Sequence, residues 1–282
     1  MSPLVRQERD GGVLRVVLDD PDAGNVIGHE LVRGLGDAVD AASSDAASSD
    51  AASGGGVRSL LLTASGPNFS LGGDIRFFGA GDAAGADGVR ARIGDLAASL
   101  HAVLRRLREV PVPVVSAVHG WAAGAGIGLA LAADVVLLAE SARMRPGYVA
   151  LGFSPDGGVS WRLTRALGPA RAADLMMTNG VLTAPEALAA GLVSRVVPDG
   201  ELPAVALQVA EALAAGPTRA LLRTRDLVRS AAGDAGYDAH LDAEAAAIAA
   251  CAGEPDGLEG VAAFLAKRRP AFTGAAGPAP SV

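Results

Sequence analysis

The chain is short of the residues that would mark several classes of protein. Its single cysteine, Cys251, excludes an intramolecular disulfide and a cysteine-rich zinc site, and fits a reducing, cytoplasmic setting. No metal site is expected. Aromatic residues make up only 4%, so the core must be filled with Ala, Val and Leu. Basic residues are the minority charge: 24 Lys and Arg against 31 Asp and Glu leave a net charge of −7. They are scattered rather than clustered, which argues against a nucleic-acid partner. Gly, Pro or a charge breaks every apolar stretch before the roughly 20 residues that span a bilayer, so no membrane span is expected. Met1 to Asp10 is polar and charged, unlike a secretory signal. Lysine is nearly absent, Lys267 being the only one.

What remains is 282 residues, half of them hydrophobic, enough for one large domain or a domain with an extension. Val13 to Leu18 is a β-branched apolar run that reads as a strand, stopped by Asp19, Asp20 and Pro21. Asn25 to Val39 reads as helix. Asp40 to Gly56 repeats a five-residue unit, DAASS, and closes on three glycines; it reads as a helix extension passing into a low-complexity surface insert. A buried strand is expected over Val57 to Thr63. A helix is expected over Val89 to Glu109, with Ile93, Leu96, Leu100, Val103, Leu104 and Leu107 on one side. Strands follow at Val114 to Val118 and Val135 to Ala139, with helix between them over Leu129 to Ala133. Such alternation is the mark of right-handed crossovers in an α/β fold. Strand signals fade after Pro169, and helical stretches follow over Glu201 to Ala215, Thr218 to Ala231, Tyr237 to Cys251 and Leu258 to Arg268. The domain reading is a core over 1–200 containing the 40–56 insert, a helical extension over 201–270, and a disordered tail over 271–282.

Two glycine-rich turns each follow a strand and precede a helix: Phe69-Ser70-Leu71-Gly72-Gly73-Asp74 and Gly124-Ala125-Gly126. Small residues let a ligand approach the backbone, and amides at a helix start carry partial positive charge. Two such amides converging on one carbonyl oxygen would form an oxyanion hole. Phosphate binding and plain tight packing are the rival readings. The second turn fits neither the dinucleotide fingerprint nor a P-loop.

The order of these motifs resembles the crotonase superfamily, the enoyl-CoA hydratases and isomerases. The likeness runs from about Val13 to Phe272. It rests on LLTASGPNFSLGGDI, PVPVVSAVHGWAAGAGIGLALAADVVLLAESARM, LGFSPDGGVSWRLTRALG and LTAPEALAAGLVSRVV. The resemblance implies an α/β spiral of ββα turns whose helical C-terminal extension serves trimerisation, with trimers that often pair into hexamers. It implies an acyl-CoA thioester ligand, with coenzyme A part of the substrate and no separate cofactor. It also implies that the Gly73 and Ala125 amides grip the thioester oxygen.

The acid–base residues depart from the hydratase pattern. The resemblance puts the two hydratase glutamates at Gly128 and Tyr148, and neither is a carboxylate. Ordinary hydration is therefore not expected. Asp156 is the carboxylate left near the expected site. Family isomerases that use an aspartate resemble the chain at this position, and one carboxylate can shuttle a proton between two carbons without water. The alternative for Asp156 is capping of the helix that follows. A second catalytic reading follows 4-chlorobenzoyl-CoA dehalogenase. There Asp156 would attack an aryl ring as nucleophile, His101 would activate water, and Tyr148 would stand in an aromatic position. A third is an acyl-thioester binder without turnover. Tyr148 reads as a wall of the acyl pocket or a hydrogen-bond donor, and His119 as a turn-stabilising residue.

For coenzyme A, the resemblance points to Ala23, and to Leu71 where backbone atoms usually meet the adenine. It also points to Phe264 and Lys267 on the last helix, reaching the nucleotide of an adjacent subunit. Near Asp22-Ala23-Gly24 the family often has basic residues, and this chain has acids. A thioester on a protein-bound phosphopantetheine therefore stays open beside acyl-CoA.

Overall fold

The structure, a computed structural model, describes residues 3–48, 55–75, 85–233, 237–252 and 254–274. The sheet opens with a hairpin of Val5–Asp10 (β1) and Val13–Leu18 (β2), turned at Gly11, whose φ is +54°. Sequence reading starts the sheet at Val13. Charge hides β1, because an edge strand presents one face to water, and here Arg6 bonds Asp19 at 3.0 Å.

Helix α1 spans His29–Ser48, later at both ends than the sequence suggests. It cannot begin at Asn25, because Asn25 has φ +54° and Ile27 is bridged to Gly73. Its far end runs into the five-residue repeat. Ala42 is fully buried, and Asp45 accepts the Val57 amide at 3.0 Å. The 40–56 segment thus continues α1 as far as Ser48, with Ala42 packed inward, and residues 49–54 lie outside the described residues.

Ser59–Ala64 (β3), Gly85–Glu109 (α2), Val114–Val118 (β4), Trp121–Ala123 (β5), Ala125–Ala130 (α3) and Val135–Ala139 (β6) come next. Helix α3 starts four residues before the expected Leu129, inside the second glycine turn, because Gly124 at φ +49° turns the strand directly into the helix. Then follow Arg143–Arg145 (β7), Val159–Leu167 (α4), Pro169–Met177 (α5), Leu182–Thr183 (β8), Ala184–Ala189 (α6) and Arg195–Val197 (β9). The strands β8 and β9 are too short to leave a periodic trace after Pro169. Leu202–Ala214 (α7), Thr218–Ala231 (α8), Tyr237–Ala252 (α9) and Pro255–Leu265 (α10) complete the chain.

The large sheet has the order β1-β2-β3-β4-β6-β9, parallel from β2 onward. A second layer runs through the Ile27–Gly73 and Ser70–Ala122 bridges to the β5-β7-β8 sheet. Successive turns of chain each give one strand to the large sheet and one segment to the small layer. This is the ββα spiral that the resemblance implies.

β4 is buried throughout, and Leu60, Leu61, Leu62, Leu137 and Leu138 beside it are 2% exposed or less. Burying each such leucine contributes about 1.5–3 kcal/mol. Alanines 206 and 210 let α7 lie close under β3 and β4, and the Ser59 hydroxyl donates to the Ala210 carbonyl at 2.8 Å. No helix among the described residues is long and apolar enough to cross a membrane.

Arginines tie the C-terminal helices to this core. Arg229 donates to the Arg108 carbonyl at 2.7 Å and to Asp134 at 2.8 Å. Arg58 donates to the carbonyls of Phe272 at 2.8 Å and Gly216 at 2.6 Å. Asp256, buried, accepts the amides of Thr273 and Gly274 at 2.8 and 2.9 Å. Of the tail expected over 271–282, residues 271–274 are therefore fastened to the body, and the rest lies outside the described residues. Replacing Arg58 by Leu should cost about 3 kcal/mol of unfolding free energy, since two charge-assisted bonds vanish and two carbonyls lose their donor. The check is a lower urea midpoint at unchanged slope; an unchanged midpoint would contradict it.

Candidate active site

The two glycine turns meet back to back. Gly72, at φ +88°, is packed so closely that a methyl group there would lie 2.9 Å from the Ala123 carbonyl oxygen and 3.5 Å from Gly124 Cα. Only glycine fits such an approach. The turns are locked by Ala123 N–H donating to the Ser70 carbonyl at 2.9 Å, and by the Ser70 hydroxyl donating to the Asn25 carbonyl at 2.8 Å.

The next amides along each turn are those of Gly73 and Ala125. Neither has a hydrogen-bond acceptor among the described residues. Ala125 is the first residue of α3, where an N–H has no intrahelical partner and the helix end carries partial positive charge. Both residues line one cavity of about 500 Å³. Ile93, Leu96, Ala97 and Leu100 of α2 give it an apolar wall, and Leu151 and Phe153 close another side.

Tyr148 and Asp156 line the same cavity. The Tyr148 hydroxyl donates to Asp156 Oδ1 at 2.8 Å. Burial first, and then the neighbouring Asp156 charge, push the Tyr148 phenol well above the ordinary tyrosine range. The phenol therefore stays a donor to the carboxylate. Asp156 does not cap α4: the N-cap residue is Gly158 and no side chain bonds that helix start. Only the Asp156 backbone carbonyl serves the turn, accepting from Val159 at 3.1 Å. Oδ2 has no hydrogen bond among the described residues.

The resemblance puts the hydratase glutamates at two positions, and both are filled differently here. A side chain at Gly128 would overlap the Gly157 carbonyl oxygen, so the chain leaves no room for one. The other position is held by Tyr148 itself. Among the described residues, Asp156 is the one carboxylate lining the cavity.

His101 corrects the pairing expected of it. Its Nε2 accepts the Gly157 amide at 3.0 Å, and its side chain lines a neighbouring cavity rather than the one holding Asp156. The lone pair a water-activating base would use is engaged. His119 Nε2 lies 2.8 Å from the Gly66 carbonyl, which can only accept, so the ring donates and steadies that loop. Leu71 lines the cavity and bonds Gly24 through its amide at 2.9 Å, whereas neighbouring Ala23 does not reach the lining. Phe264 and Lys267 do not share a helix: α10 ends at Leu265, and Lys267 follows in the left-handed region at φ +51°. Phe264 is 83% exposed, and neither residue lines this cavity in its own chain.

Asn179 is a supporting residue that sequence reading misses. Its side-chain oxygen accepts the Gly147 amide at 2.9 Å, fixing the turn that presents Tyr148. The signal was the Asn-Gly pair at 179–180, legible as a turn but not as part of a site.

A family model described as enoyl-CoA hydratase/isomerase matches residues 8–275. The chain is 34% identical to 1,2-epoxyphenylacetyl-CoA isomerase of Escherichia coli (strain K12), over 97% of this chain and all of the relative. It is 33% identical to trans-2-decenoyl-acyl-carrier-protein isomerase of Streptococcus mutans, over 94% of this chain and 96% of the relative. The crystal structure of an enoyl-CoA hydratase from Polaromonas sp. JS666 superposes with a TM-score of 0.85 at 32% identity, covering 95% of this chain and 99% of that one.

Introducing Ala at Gly128 should displace the Gly157 turn, because the methyl group and the carbonyl oxygen cannot share the space. The expected cost is about 1–3 kcal/mol of stability by urea titration. Gly128→Glu should fail to create hydration of 2-enoyl thioesters. A well-folded Gly128→Glu that hydrates crotonyl-CoA would overturn this account of the missing carboxylate.

Proposed function

The chain belongs to the enoyl-CoA hydratase/isomerase family, and we propose that its own activity is double-bond isomerisation of an acyl thioester. One observation carries this reading: among the described residues a single carboxylate, Asp156, lines the cavity that also receives the Gly73 and Ala125 amides, which have no acceptor there. In the proposed reaction the thioester oxygen lies between those two amides. Asp156 takes a proton from the α carbon of a β,γ-unsaturated acyl group. The electron pair spreads through the conjugated system onto the thioester oxygen, where the amides stabilise the negative charge. Asp156 then returns the proton to the γ carbon, leaving the α,β double bond. Atoms balance with one proton carrier and no water. Losing one oxyanion donor would raise the barrier by about 3–4 kcal/mol.

Hydration would need a positioned water and a second proton-handling group, and the Gly128 and Tyr148 positions supply neither carboxylate. Nucleophilic aryl chemistry draws no support from His101, whose acceptor nitrogen is already bonded. Tyr148 holds Asp156 by its Oδ1 and keeps the other oxygen for the substrate. The acyl group is carried on coenzyme A or on a protein-bound phosphopantetheine, entering past Leu71. In a trimer or hexamer, Phe264 and Lys267 would meet a neighbour's nucleotide. The reaction uses no resident cofactor.

The test is deuterium uptake from D₂O into 3-hexenoyl-CoA, followed by mass spectrometry. Native protein should exchange and isomerise, whereas Asp156→Asn should lose about a thousandfold in rate while still binding the thioester. Full exchange by Asp156→Asn would sink the proposal. Tyr148→Phe should lower kcat about tenfold through loss of the bond that orients the carboxylate. The raised phenol also fixes a pH dependence, because the neutral form persists past the ordinary value of about 10. The native rate should therefore hold level from pH 8 to pH 10. A fall near pH 10 that disappears in Tyr148→Phe would contradict the assignment.

A further inference from the structure

A second cavity, of about 370 Å³, adjoins the first, and three of its lining residues are Arg105, Arg108 and Arg162. The two cavities are one residue apart on two separate segments. Leu100 lines the first and His101 the second on α2; Asp156 lines the first and Gly157 the second on the turn before α4. The His101–Gly157 hydrogen bond is the seam between them. Gly128 and Ala132 form the floor.

The charge here runs against the rest of the chain. The molecule carries −7 overall, yet no carboxylate lines this cavity among the described residues. Arg105, Arg108 and Arg162 form no salt bridge among those residues, unlike some other arginines of the chain. Arg229, for example, takes Asp134 at 2.8 Å. Arg162 is half-buried; burial, and then the like charge of Arg108, hold its guanidinium below the ordinary arginine range. Its guanidinium carbon lies 5.5 Å from the Trp161 ring centroid, and that of Arg165 lies 4.7 Å from the same centroid. Asp134 is close enough to offset part of the Arg162 charge but takes its ion pair with Arg229, so an anion placed among the three guanidiniums, two of them exposed, would find like charges with no salt bridge among the described residues. Arginine forks suit a planar carboxylate, which they hold with paired bonds.

The geometry points to a carboxylate-binding pocket formed by Arg105, Arg108 and Arg162, which takes the far end of a dicarboxylic acyl thioester whose reacting carbons lie beside Asp156. This rests on the proposed acyl site, because it is the thioester held at Gly73 and Ala125 that would send its tail past Asp156 toward the seam. The substrate class is then an unsaturated acyl thioester ending in a second carboxylate. The tail would pass where the His101 side chain now closes the seam.

The test compares equilibrium binding of adipoyl-CoA and hexanoyl-CoA, which have equal chain length and no reactive double bond. Native protein should bind adipoyl-CoA about tenfold tighter, as a charge-assisted contact provides. In Arg108→Gln/Arg162→Gln the advantage should vanish while hexanoyl-CoA affinity stays unchanged. Free adipate, titrated separately, distinguishes the source. Adipate binding that the double variant abolishes, with no preference between the acyl-CoAs, would keep the pocket but overturn its assignment to the substrate's tail. Equal binding of both acyl-CoAs with no adipate binding would overturn the pocket, as would a preference that survives the double variant. If the double variant does not fold, the native comparison and Arg105→Gln alone decide it by the same criteria. Deuterium uptake into 3-hexenoyl-CoA by the arginine variants reports on the isomerase reading separately, since no pocket arginine takes part in proton transfer.

Discussion

The contact between the Leu71–Gly73 turn and the Ala123–Ala125 turn is the constraint on which the site depends. Two backbones touch where Gly72 faces the Ala123 carbonyl, at a distance no side chain would permit. That contact is what brings two unpaired amides onto one cavity. The spiral makes it possible, because each turn of chain lays its second segment beside the previous one: Ser70 bridges Ala122 and Ile27 bridges Gly73. The buried parallel sheet and the alanine-faced α7 hold those turns in register from behind.

The carboxylate side is built on a different principle. Asp156 sits on a loop, and a loop side chain needs a partner to hold one orientation. Tyr148 supplies it with a hydroxyl whose proton is kept by burial and by the carboxylate itself. Tyr148 is held in turn by the 147–153 segment, anchored through Gly147 on Asn179. The same packing leaves no room for a side chain at Gly128. The Gly157 turn pressed on α3 therefore closes one of the two positions, and Tyr148, which holds Asp156, occupies the other.

Much of this could be read from residues alone, and the reason differs by element. The strands β4 and β6 announce themselves by short runs that open on paired valines, and together with helix α8 they have the expected bounds. The glycine turns were legible because close backbone approach demands a special residue. The strand β1 was not, since an edge strand tolerates charge. Ala42 within the repeat was not, because alanine carries no signal that separates a packed helix face from a surface one. His101 shows a further limit: its place in the chain, read through the dehalogenase likeness, suggested a partner for Asp156, but helix phase turns it to the neighbouring cavity and onto Gly157. Spacing along a chain gives no rotation about a helix.

The central claim is that the amides of Gly73 and Ala125 polarise a bound thioester carbonyl. Isotope-edited infrared spectroscopy of a carbonyl-labelled unsaturated acyl-CoA measures this directly. Bound to the protein, the labelled carbonyl should absorb at lower frequency than in water, because two backbone donors weaken the double bond more than solvent does. An unshifted band from a demonstrably bound ligand would mean that the two amides do not grip the oxygen, and the account of the site would fall with them.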